Sequence, residues 1–402
     1  MSTLAINGGN PVRERPFSQW PVYADDDREA LVRVLESGKW GTLGPRAEEF
    51  QERFAAFVGA KHGLSVFNGS VSLETALRAA SIGPGDEVIV PPYTFVATAS
   101  SVVFTGADPV FADIDPNHFN CIDPAAVEAA ITSRTRAVIP VHMAGCPAEM
   151  EPILALAEKH GLFVLEDAAQ AHGAEYRGRK VGSIGDVASF SFQETKNMAA
   201  GEGGMLTMKA ADIWEKCWAV HNTGRVTGGA WYQHELPGSN FRMTEWQAAI
   251  LLGQLDRLPG QMEIRERNAQ LLYSRLEGME GIVLFPLRDD LKYAWHLFMF
   301  KLNLDITGKV DKRRFAEALT AEGVPTEGGY VNLARQKMFS SRELQRRISR
   351  PFDYSSVDLP RTDQACAGTL WFSQNMLLGD ESDIDDIAEG VRKVVENIDE
   401  LA

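Results

Sequence analysis

Between residues 62 and 210, short apolar runs alternate with stretches of helical spacing. LSVF (64–67) reads as a strand, and the helix that follows from Ser70 carries Leu73, Ala76, Leu77 and Ala80 on one face. GPGD (83–86) punctuates the chain before a second strand, EVIV (87–90). A helix over 94–104 leads to a strand at PVFAD (109–113). AVIPV (137–141), a helix over 148–159 and LFVLED (162–167) repeat the pattern. These strands are apolar throughout, not at every second position. Both of their faces are therefore expected to be covered, as in a mostly parallel sheet between layers of helices.

Beyond residue 240 the pattern changes. Thr244 and Gln247 form a capping box opening a long helix through Trp246, Ile250 and Leu255, which Pro259 is expected to kink or interrupt. A strand at WHLFMFKL (295–302) and a helix over 311–321 follow. The closing helix over 382–401 has Ile384, Ile387, Val391, Val394, Ile398 and Leu401 in one stripe. The expected organisation is a large α/β domain over 1–258, with an N-terminal arm over 1–25, and a smaller C-terminal α+β domain over 259–402.

Composition narrows the function. With 45% hydrophobic and 24% charged residues in 402, the chain is neither disordered nor limited to one core. A formal charge of −15 argues against nucleic acid as a partner. No run reaches the roughly 18 apolar residues of a membrane span. The opening MSTLAINGGNPVRERPF lacks an apolar secretory core, so a cytoplasmic enzyme is expected. Cys121, Cys146, Cys217 and Cys366 are scattered without a CxxC pair, which fits reduced thiols and no metal.

Ligands of open α/β sheets bind beyond the carboxyl ends of the strands, so the loops there carry the candidate chemistry. NGS (68–70) offers helix-start amides and a hydroxyl to a phosphate, and is equally plain turn and cap chemistry. In LEDAAQAHG (165–173) one acid of the Glu166–Asp167 pair must point inward, where it needs a cation or donor; a helix cap is the rival explanation. Lys196, close to apolar strand residues and followed by GEGG (201–204), is a nucleophilic amine if desolvated and an ordinary loop lysine if not. A phosphate cradle, a carboxylate and an amine together are what pyridoxal 5′-phosphate requires.

With these segments the chain resembles the DegT/DnrJ/EryC1/StrS sugar aminotransferases, which are fold type I pyridoxal-phosphate enzymes. The resemblance spans nearly the whole chain. It is carried by GTLGPRAEEFQERFA (41–55), NGSVSLETAL (68–77), GDEVIVPPYTFVATA (85–99), EDAAQAHGA (166–174), SFSFQETKNMAAGEGG (189–204) and GSNFRMTEWQAAIL (238–251). It implies a lysine bonded to the cofactor at Lys196 and a partner for the pyridine nitrogen at Asp167. Glu166 then points elsewhere. Gln170 is implied beside the ring, Phe95 stacked on it, and Gly69, Ser70 and Ser191 around the phosphate. Asn240 is implied to reach the partner subunit's phosphate, hence a homodimer with shared sites. By residue type alone, Phe95 reads as core and Asn240 as a turn.

A lysine at position 196, where similar sugar dehydratases carry histidine, implies transamination through pyridoxamine phosphate. The donor would be glutamate or glutamine, and the acceptor a keto sugar (nucleotide-linked or free) or a keto-cyclitol. WFSQNMLL (371–378) and GGYVNLARQKMF (328–339) depart from the family's usual acceptor segments. Tyr330, Arg335 and Gln374 are the acceptor candidates, each also readable as a solvated loop residue. Arg242 is a candidate for the donor carboxylate or for a structural ion pair. Two alternatives stand beside this reading: a dehydrating, aromatising enzyme of the 3-amino-5-hydroxybenzoate type, and a cofactor-binding sensor without turnover.

Overall fold

In the computed structural model, which describes residues 3–308 and 310–401, seven strands form the central sheet. They are β1 (His62–Val66), β2 (Glu87–Val90), β3 (Asp108–Phe111), β4 (Thr135–Val138), β5 (Phe163–Asp167) and, after a small hairpin of β6 (Glu175–Tyr176) and β7 (Arg179–Lys180), β8 (Val187–Ser191) and β9 (Gly204–Met208). Their order is β1-β9-β8-β5-β4-β2-β3, and every neighbouring pair is parallel except those that β9 makes. The mostly parallel sheet is as expected.

The apolar runs divide residue by residue between two cores. Ile89, Val138, Val164 and Ala188 join one cluster, while Val88, Val90, Ala137, Leu165 and Val187 join the other. Helices α3 (Gly69–Ala79), α4 (Ala97–Thr105) and α7 (Ala211–His221) bury their apolar sides in the second cluster. The first cluster includes side chains of α2 (Pro45–Val58), α6 (Met150–His160) and the 32-residue α8 (Glu245–Leu276). Helices α1 (Asp25–Ser37) and α5 (Pro124–Ala130) complete this part.

Of the two outcomes expected at Pro259, interruption does not occur: α8 runs through it. A mid-helix proline costs about 3 kcal/mol, and the burial of Leu251, Leu255, Leu258 and Met262 around it offsets that cost. The capping bond is made as read: Thr244 N donates to Gln247 Oε1 at 3.0 Å. Position 258, the expected domain boundary, lies inside this helix.

The C-terminal part has an antiparallel sheet of β10 (Ile282–Leu284), β12 (Leu297–Leu302) and β13 (Thr369–Ser373), while β11 (Leu291–Lys292) pairs with β6. Its helices are α9 (Leu304–Thr307), α10 (Lys312–Ala321), α11 (Arg342–Gln345), α12 (Pro360–Gly368) and α13 (Glu381–Glu396). The closing helix ends at Glu396, short of the predicted 401, and Ile398–Leu401 continue as a 3₁₀ turn.

The N-terminal arm docks on this second part. Ala5 N donates to Glu322 Oε1 at 2.8 Å, and buried Arg13 pairs with Asp383 (2.8 Å) and Asp386 (2.7 Å). Cys121 and Cys146, distant in sequence, come together beside His118, with the three ligand atoms within 4.8 Å of one another. No helix among the described residues is long and apolar enough to cross a membrane.

Candidate active site

Because β1, β2, β5 and β8 are mutually parallel, the segments that follow them emerge at one edge of the sheet. They line a cavity of about 1160 Å³ together with Ser18–Pro21 of the arm and Tyr330, Trp371 and Gln374 of the second part.

Asp167 ends β5. Its Oδ2 accepts from Thr98 Oγ1 at 2.8 Å, and Oδ1 from the Ala169 amide at 3.3 Å. Burial pushes its pKa up, against the pull of the Thr98 bond, the Ala169 amide and Lys196. Glu166 points the other way. Its oxygens accept from the amides of Gly182 (3.0 Å), Ile184 (2.9 Å) and Gly185 (2.8 Å), and from His142 Nε2 (3.1 Å). Burial would raise this acid, but His142 and the amides outweigh it and hold the pKa down. His142 Nδ1 accepts from the Ala148 amide, which leaves the proton on Nε2 for Glu166.

Lys196 lies in the turn after β8. Burial brings its amine down to about 8, with Asp167 opposing the shift. Nζ lies 3.4 Å from His296 Nε2, and His296 Nδ1 lies 3.1 Å from Asn197 Oδ1. Burial, together with the Lys196 charge, holds His296 well below its ordinary pKa. It is a neutral neighbour for the amine.

The turn before α3 is built around Gly69. A Cβ there would come within 2.7 Å of Ser191 Cβ, so only glycine brings the two segments so close. The Asn68 side chain caps α3 by accepting from the Val71 amide at 3.0 Å. Gly69, Ser70 and Ser191 border one corner of the cavity, next to that helix start. Phe95 is 58% exposed and lines the cavity, so it is not a core residue. The Gln170 amide is held at both ends: Oε1 accepts from Ala144 N at 2.8 Å, and Nε2 donates to Tyr330 Oη at 3.1 Å.

The remaining candidates separate. Tyr330 and Gln374 line the cavity. Arg335 does not: it bonds the carbonyls of Ser355 and Val357 and pairs with Asp363 at 3.2 Å. Arg242 is also outside it, donating to Thr42 Oγ1 (2.9 Å) and Asn222 Oδ1 (2.6 Å), a structural role by hydrogen bonds without an acid. Asn240 is exposed and away from this chain's cavity, its backbone bridged to Asn222.

His296, Thr98 and Trp20 also line the cavity, and none of them stands out in the sequence as a site residue. A polar residue heading the apolar run of β12 was the one available signal, for His296. The other two are unremarkable until the fold brings them here.

The chain is similar to known proteins over nearly its whole length. The profile of the DegT/DnrJ/EryC1/StrS aminotransferase family matches residues 21–392. The chain is 39% identical to the L-glutamine:2-deoxy-scyllo-inosose aminotransferase of Streptoalloteichus tenebrarius, over 99% of both chains. It is 38% identical to the spore coat polysaccharide biosynthesis protein SpsC of Bacillus subtilis, over 96% of this chain and 98% of that one. Among solved structures, 3-amino-5-hydroxybenzoic acid synthase superposes with a TM-score of 0.88 at 32% identity, covering 96% of this chain and 99% of its own. The chain belongs to the DegT/DnrJ/EryC1/StrS aminotransferase family.

Proposed function

We propose that this aminotransferase uses pyridoxal 5′-phosphate to move an amino group from L-glutamine to a keto-cyclitol. The observation that carries the cofactor reading is a half-buried amine, Lys196, sharing one cavity with the sparsely bonded carboxylate of Asp167 and the glycine turn at Gly69. These residues fit the group: Gly69 lets Ser191 close on the start of α3, which sets two hydroxyls beside helix-start amides, and Asp167 keeps accepting capacity for a ring N–H. When bound, the cofactor supplies an aldehyde for amine exchange and an electron-withdrawing ring.

The chain's own residues divide the remaining work. Lys196 Nζ is the base that carries protons, and it is increasingly neutral above about pH 8. Asp167 holds negative charge at the floor of the cavity. Ser70, Ser191 and the amides at the start of α3 receive a phosphate without a cation. Gln170, fixed by Ala144, turns its N–H bonds toward Tyr330 and the cavity.

The acceptor reading draws support from the Streptoalloteichus relative and from the lining. Lys196 is the one lysine or arginine among the described lining residues, whereas Glu194, Glu202 and Glu327 also line the cavity. That suits a neutral polyol ketone better than a sugar diphosphate. The test is visible absorbance of the cofactor-loaded protein. L-Glutamine should abolish the band, 2-deoxy-scyllo-inosose should restore it, and Lys196→Ala should never show it. No response of the wild type to any amino donor would favour a sensor. Loss of water from the product would favour the reaction type of the hydroxybenzoate synthase, to which the fold is similar.

We also infer a homodimer. Exposed Trp231 (65%) and Tyr232 (86%) lie on the same segment as Asn240. Mixing Lys196→Ala with Asn240→Ala subunits should recover activity that neither variant has, and no recovery argues against shared sites.

A further inference from the structure

Arg265, midway along α8, is wholly buried, and among the described residues no carboxylate pairs with it. Burial brings its pKa down to about 9, so the guanidinium is still charged at neutral pH. Two of its nitrogens, Nε at 3.0 Å and Nη2 at 2.5 Å, donate to a single atom, Gln374 Oε1. Nη1 has no hydrogen-bond partner among the described residues, and Cζ lies 5.3 Å from the ring centre of Trp20. Gln374 follows β13 and lines the cavity, where its Nε2 bonds no described residue.

Two physical points follow. A buried guanidinium is held best by a carboxylate, and an amide in that place gives up stabilisation. The amide also cannot flip, because flipping would set its NH2 against the guanidinium N–H groups. With Oε1 occupied twice, what Gln374 can offer the cavity is a pair of N–H donors. A glutamate in the same place would satisfy Arg265 better and present only acceptors. A functional group kept at a cost in stability is a usual mark of a binding site.

We propose that Arg265 is a positioning residue that locks the Gln374 amide with its Nε2 protons toward the cavity, where they donate to a hydroxyl or carbonyl oxygen of a neutral polyhydroxylated acceptor. This deepens the acceptor reading above and rests on it. Trp20, from the arm, covers the guanidinium and lines the same cavity, so the arm closes the lock from the far side.

The test compares wild type, Q374E, R265M and R265K as loaded enzymes, following the two half-reactions separately by absorbance and melting each protein. In Q374E the KM for 2-deoxy-scyllo-inosose should rise at least tenfold more than the KM for L-glutamine, while the melting temperature holds or rises. R265M should show the same acceptor-selective rise, and R265K, which keeps one donor to Oε1, should recover part of it. Q374E taking the ketone as wild type does would overturn the proposal, as would equal losses in both half-reactions. If the wild type loads with glutamine but is not discharged by this ketone, the cyclitol reading falls. Melting then decides the lock: Q374E above wild type supports an unpaired Arg265, and Q374E below it refutes one.

Discussion

Glu166 and Asp167 are consecutive residues of one strand, both buried, and they end in opposite chemical states. Glu166 faces the closed side of the sheet and is saturated by four donors, three of them backbone amides. Asp167 faces the cavity with one hydroxyl and one long amide bond. The first acid is depressed and the second raised. A buried carboxylate whose lone pairs are all used holds the protein together. One with lone pairs to spare awaits something the protein does not itself provide.

The sharpest way to break this contrast is Asp167→Ala, which should lower the glutamine half-reaction by about 10³-fold with little change in melting. Single-turnover absorbance measures it, and activity within tenfold of wild type would remove Asp167 from the chemistry. Glu166→Gln should do the reverse, costing about 3 kcal/mol of stability while leaving the rate per folded molecule near wild type. Denaturant unfolding at pH 7 checks this. The sign of its pH dependence follows from the depressed folded pKa: the stability Glu166 contributes is present above its ordinary value of 4.5 and lost as pH falls through the lower folded value. The gap between wild type and variant should therefore close in acid.

Two smaller effects sharpen the comparison. Thr98→Val removes the main bond to Asp167 and should slow the half-reaction about tenfold, the worth of one hydrogen bond to a charged group. Lys196→Met, in cofactor-free protein at pH 7, should raise the melting temperature slightly by removing a poorly solvated charge. The folded lysine releases its proton near 8 and the unfolded one near 10.5. Wild-type stability therefore rises with pH between those values, and the variant's advantage should fade by pH 10.

The same contrast marks how far the sequence can be read. That one of the two acids must point inward was legible from an apolar strand ending in Glu-Asp. Which one did so followed from the family resemblance, because the donors to Glu166 come from the loop at 182–185, whose course no periodicity announces. The parallel sheet was legible because its strands are apolar on both faces. β13 was not, since a five-residue strand recognised through its partner β12 carries little local signal. That α8 continues through Pro259 was not legible, because propensity alone does not weigh the packing on both sides of the helix. Arg335 and Arg242 were plausible by charge, yet both are engaged by local oxygens. Arg265, by contrast, sits unannounced in a helix whose face could not be assigned.

The docked arm has a consequence for biosynthesis. Residues 3–24 are translated well before several of their partners, Glu322, Asn375, Asp383 and Glu400. At roughly 5–20 residues per second, synthesis separates the two by about a minute or less. During that interval the sheet and its loops exist, but the wall contributed by Ser18–Pro21 lacks the bond that Asn375 donates to the Ser18 carbonyl. The cleft is finished by a segment made long after the loops of the sheet, so a chain stalled before residue 322 already carries Gly69, Ser70, Ser191 and Lys196 and still lacks a closed chamber.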